Sequence, residues 1–101
     1  MITPTKLTNT MVMFSGKLFG TTQEDVTTLT EQVKNDINTN ISDILFLNLD
    51  LDLEPVEDSR TLSQCYIINC QMLINFKTKV RVEDMIWLIK SYLEHLLDPI
   101  Q

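Results

Sequence analysis

A chain of 101 residues with a hydrophobic share of 44% is sized for one small domain, and no apolar run approaches the roughly 18 to 20 residues a bilayer requires. Fourteen acidic against eight basic side chains give a net charge of −6, which argues against direct nucleic-acid binding through the phosphate backbone. The N-terminal stretch has no apolar segment after a basic one, so no secretory signal is expected and a cytoplasmic location is.

Residues 1–9 are polar and contain Pro4, which predicts a loose lead-in. Met11-Val12-Met13-Phe14, continuing to Leu18-Phe19, predicts a first strand with a bulge or bend at Gly16. Thr21 with Glu24, or Thr22 with Asp25, forms a capping box that opens a helix. Val26, Leu29, Val33, Ile37 and Ile41 then recur at spacings of three and four, one narrow helical stripe, and Asn38-Thr39-Asn40 should end it.

The stretch Ile44 to Glu54 organises the rest. Leu45, Leu47, Leu49, Leu51 and Leu53 fall on alternate positions, which in a strand turns all five to one side. The opposite side passes from Ile44 and Phe46 through Asn48 to Asp50, Asp52 and Glu54. Pro55 stops the strand, and the polar connection 55–63 is too short for a helical crossover, so the next strand should return antiparallel. That strand spans Cys65 to Phe76, read as continuous, with Tyr66, Ile68, Cys70, Met72, Ile74 and Phe76 on one face. Val80 through Met85 predicts entry to a last helix, with Val80 stapled onto Met85 and Glu83 and Asp84 in the positive first turn. Met85, Ile86, Ile89, Tyr92, Leu93, Leu96 and Leu97 form its apolar stripe, and Pro99 ends it.

The order β-α-β-β-α predicts an α+β domain of two layers: an antiparallel sheet of three or four strands, with two helices on one face. Residues 1–101 then form a single domain. Asp43, Asp50, Asp52, Glu54, Glu57 and Asp58 cluster apart from Lys77, Lys79 and Arg81, so the charge should be lopsided.

Acids two apart on one strand face stand roughly 6.5 to 7 Å apart, close enough for acid–base work or a hard cation. The segment lacks the glycine turn of a calcium loop, and exposed acids also keep strand edges from aggregating. A solvated face leads, a surface for a basic partner follows, and metal or catalytic chemistry comes last. Cys65 and Cys70 lie about 16 Å apart along a strand and cannot bridge. His95 stands alone with no nucleophile in a suggestive context. No glycine-rich phosphate loop occurs, and no cofactor is expected.

Trp87 falls on the polar side of the last helix among Lys90, Ser91 and Glu94, with Leu88 beside it, and exposed tryptophan is enriched in binding hot spots. Phe46, Ile44, Ile67 and Leu73 should lie on the sheet face away from the helices, where a two-layer domain leaves them uncovered. Asp50, Asp52, Glu54, Trp87, Leu88 and Phe46 are therefore the candidate partner-binding residues.

With this element order, Glu83-Asp84-Met85-Ile86 leading into Leu93-Glu94-His95-Leu96-Leu97 resembles the ribosome hibernation-promoting family, in which an Asp-Met-Tyr step opens a similar final helix. Phe14-Ser15-Gly16-Lys17 resembles that family's opening strand. The resemblance implies a ribosome-associated factor, although the first helix is short and poor in lysine for contacts to ribosomal RNA. No residue role is carried over.

The expected function is a non-enzymatic protein-binding module, an acidic inhibitor or immunity-type factor covering a basic surface of a nucleic-acid-handling protein. A structural subunit or assembly chaperone, self-associating as a homodimer through the outer sheet face, is the first alternative. The ribosome-associated factor is the second.

Overall fold

The structure, a computed structural model, describes residues 1–20, 26–55, 66–79, 81–96 and 98–99. Its elements are β1 (Ile2–Lys6), β2 (Met11–Gly20), α1 (Val26–Asn40), β3 (Ile44–Pro55), β4 (Tyr66–Phe76), α2 (Val82–Leu96) and the short β5 (Asp98–Pro99). The strands run in the order β1-β2-β4-β3 with every neighbour antiparallel, and β5 adds to β2. The fold is α+β, and its principal elements follow the expected order β-α-β-β-α.

Alternation explains the sheet. Val12, Phe14 and Leu18 of β2, the even positions Ile68 to Phe76 of β4, and Leu49 and Leu51 of β3 are all buried on one face. Leu29, Val33 and Ile37 of α1 and Val82, Met85, Ile86, Ile89 and Leu93 of α2 close over that face to complete the core. α1 lies against β3, and α2 against β1 and β2. The Tyr92 hydroxyl donates to Asp36 Oδ2 at 2.5 Å, joining the two helices. Among the described residues no polar or charged side chain is buried. β4 is one continuous strand, as the absence of a turn signal suggested.

Three expectations change. Residues 2–6 are no loose lead-in but an edge strand, in register from Ile2 opposite Gly16 to Lys6 opposite Val12. Pro4 is tolerated because an edge strand needs only one side of its backbone for pairing. Ile2 is fully buried, its amide donates to Glu94 Oε1 at 3.2 Å, and Lys6 Nζ reaches Glu83 Oε1 at 2.6 Å, so α2 clasps the strand. The turn back to β2 is held by the Thr8 hydroxyl, which accepts from the Met11 amide at 3.0 Å.

Gly16 makes neither bulge nor bend. It sits in unbroken register with both Ile2 and Cys70, and glycine is required because an added Cβ would lie 2.1 Å from the Met1 carbonyl oxygen.

The third change concerns the leucine ribbon. The register of β3 against β4 slips between Ile44 and Phe46, so that Ile44 lies opposite Phe76 while Phe46 lies opposite Asn75. One extra residue reverses the facing of everything before it. Leu47 to Leu53 keep the core side, but Leu45 is 65% exposed and Ile44 packs against the core instead of facing outward.

The last helix is entered through Arg81, whose φ of 63° is left-handed, and whose carbonyl accepts from the Met85 amide at 3.1 Å. The capping boxes at 21–25, the Val80 staple, Cys65, Glu57 and Asp58 lie outside the described residues.

Candidate interaction surface

The outer face of the sheet is built by the residues that the core leaves over. Across the strands, Phe46, Asn75 and Met11 form one row, followed by Asn48, Leu73, Met13 and Thr5. Next come Asp50, Gln71, Ser15 and Thr3, and then Asp52, Asn69 and Lys17. A last row sets Glu54 beside the half-buried Ile67. The carboxylates are therefore confined to one half of the face, which Ile67 shares, and the other half carries none. At the apolar end Phe46 is 50% exposed, and Met11, Met13 and Leu73 are half-buried. At the other end Asp50, Asp52 and Glu54 are all exposed.

The acid row has local partners. Glu54 Oε2 lies 3.8 Å from Lys17 Nζ and accepts from Asn69 Nδ2 at 3.3 Å. Both contacts are exposed, so each adds little to stability, but they fix Glu54 over the neighbouring strands. A shallow depression of about 300 Å³ lies here, lined by Ser15, Lys17, Asp50, Asp52, Asn69 and Gln71. Among the described residues no three His, Cys, Asp or Glu side chains come together as a metal-holding group. Lys17, which the sequence does not single out, sits in the acid half because β2 and β3 both pair with β4.

The candidate residues divide between two sides of the molecule. Phe46, Asp50, Asp52 and Glu54 share the outer sheet face, whereas Trp87 and Leu88 stand on α2 in the helical layer, 67% and 59% exposed. Trp87 stands one helical turn after Glu83, whose carboxylate reaches Lys6 of β1. Leu88 lines a groove of about 320 Å³ between the helices with Ile37, Ile41 and Tyr92. Burial, assisted by the hydrogen bond to Asp36 and its charge, pushes the Tyr92 phenol well above its ordinary range.

The remaining reactive groups stand apart. Cys70 is buried in the core, and desolvation pushes its thiol up to about 11, so it stays protonated at neutral pH. His95 is exposed on α2. Among the described residues no helix is long and apolar enough to cross a membrane.

Met11 and Met13 complete the apolar end and were not among the sequence candidates. Their signal was available, since they occupy the odd positions of a strand whose even positions are Val12 and Phe14. In comparisons with known proteins, no family model matches the chain, and no curated protein or solved structure matches it.

Proposed function

We propose that this chain is a non-enzymatic protein-binding module that applies the outer face of its sheet to a partner with a basic surface. The observation that carries this reading is the divided face: Asp50, Asp52 and Glu54 in one half, beside Ile67, and Phe46, Leu73, Met11 and Met13 in the other, on one sheet. The acidic end accelerates encounter and sets orientation, and the apolar end supplies contact area. A protein that handles nucleic acid offers the complementary surface, and covering that surface would inhibit it.

Self-association through the same face is less favoured by charge. Each copy would bring three carboxylates and one lysine, Lys17, to the contact, so like charges predominate on both sides.

The test compares partners retained from the host by the native chain, by Asp50→Lys/Asp52→Lys/Glu54→Lys, and by Phe46→Ala/Leu73→Ala. A basic partner held by the native chain should be lost from both variants, and its association rate at low salt should fall at least tenfold in the charge reversal. An unchanged partner set, or a rate indifferent to both charge and salt, would refute the reading. Sedimentation of the native chain as a stable dimer would support the homodimer instead.

A further inference from the structure

The free side of β3 gives a more specific inference, which rests on the binding-module reading above. β3 pairs with β4 alone, so among the described residues its other side has no strand partner. Backbone N–H and C=O groups of alternate residues on that side point away from the sheet, a template for a further strand. The slip at Leu45 interrupts this edge at its start, whereas from Phe46 to Glu54 the register is unbroken. Within that stretch Asp50, Asp52 and Glu54 face outward, and Leu47, Leu49, Leu51 and Leu53 face the helical layer.

A guest strand would place its own alternate residues beside these carboxylates, at Cβ separations of about 4.5 to 5.5 Å. Lysine or arginine is favoured there and an acid is rejected. The intervening guest residues would lie along the leucines at the edge of the helical layer, which favours apolar side chains.

A second copy fits poorly. Antiparallel self-pairing over the whole regular stretch sets Asp50 against Asp50 of its mate, and sliding the copies toward Glu54 only exchanges this for other acid-on-acid pairs; sliding toward Phe46 avoids them only by shortening the paired stretch and leaves every carboxylate without a basic mate. We propose that β3 is a strand-addition edge, taking an extended segment of a basic partner with Lys or Arg at every second position and apolar residues between.

The probe is a nine-residue peptide alternating lysine and valine, titrated at low salt into the full chain and followed by calorimetry and by amide NMR shifts. One-to-one binding is expected, with shifts centred on residues 46–54. Backbone N-methylation at alternate peptide residues should weaken binding at least tenfold in the frame that faces β3 and leave it intact in the other. Replacing the peptide lysines with glutamate, or testing Asp50→Lys/Asp52→Lys with its thermal unfolding unchanged, should also cost at least tenfold.

Equal binding by both methylated frames, or shifts centred on Met11, Met13 and Leu73, would overturn strand addition and leave the module reading standing. So would failure of the peptide to bind while the partner of the preceding section binds. Failure of both would remove the module reading as well. Neutralised acids that cause only self-association, with peptide affinity unchanged, would mark the carboxylates as guards against aggregation and likewise overturn the proposal.

Discussion

Gly16→Ala should destabilise this protein, although replacing a glycine inside a strand usually does the reverse. The added methyl would start 2.1 Å from the Met1 carbonyl oxygen and 3.0 Å from the Ile2 Cα, both backbone atoms that no rotamer change can move. Going from 2.1 Å to the 3.4 Å at which ordinary contact begins requires β1 to retreat by about 1.3 Å. That retreat unseats Ile2, which is 0% exposed, and stretches its 3.2 Å hydrogen bond to Glu94. Freeing a buried isoleucine forfeits about 1.5–3 kcal/mol. The lost flexibility of the unfolded chain returns about 0.4–1 kcal/mol. A net loss of about 0.5–2.6 kcal/mol is expected. Urea unfolding measures it, and hydrogen exchange should show the β1 amides losing protection while β4 keeps its own. A variant as stable as the parent, with β1 still protected, would mean that the close approach of β1 to β2 is wrong.

Two further tests address the ribbon and the core. Leu51→Ala should cost about 2–5 kcal/mol and Leu45→Ala less than about 0.5 kcal/mol in chemical denaturation, because only Leu51 is buried; equal losses would contradict the register slip. In Cys65→Ser, the Cys70 thiol should resist thiol reagents until the chain unfolds. Its raised value also makes stability fall as the pH climbs from about 9, where the unfolded thiol ionises, to about 11, where the folded one does. Cys70 should contribute about 3 kcal/mol of that loss, and replacing it by alanine as well should remove this share, leaving the fall above about pH 10 that the raised Tyr92 phenol contributes; a profile indifferent to Cys70 would refute its burial.

The main fold was legible because its strands repeat every two residues and its helices every three or four. Leu47 to Leu53 and Ile68 to Phe76 can satisfy that period in only one way. The slip at Leu45 was not legible, since Ile44, Leu45 and Phe46 are all apolar and any of them could fill the core. β1 was hidden for another reason: Thr3 and Thr5 suit a strand, but Pro4 argues against one unless its place at the edge is already known. Of the candidate surface, the acid row and Phe46 were readable from alternation. That Trp87 and Leu88 stand elsewhere was not, because the periods of separate elements say nothing about which face of one meets which face of another.

The arrangement β1-β2-β4-β3 places the last long strand in the sequence at the centre of the sheet. β1 with β2, and β3 with β4, can each zip up as neighbours along the chain. Met11 meets Asn75, however, only across a gap of 64 residues. Closing so long a loop is entropically slow. During synthesis Val12, Phe14 and Leu18 therefore wait without their mates until β4 leaves the ribosome. The two hairpins should form early and their union should set the folding rate, which makes the nascent β1–β2 hairpin the species most in need of a chaperone.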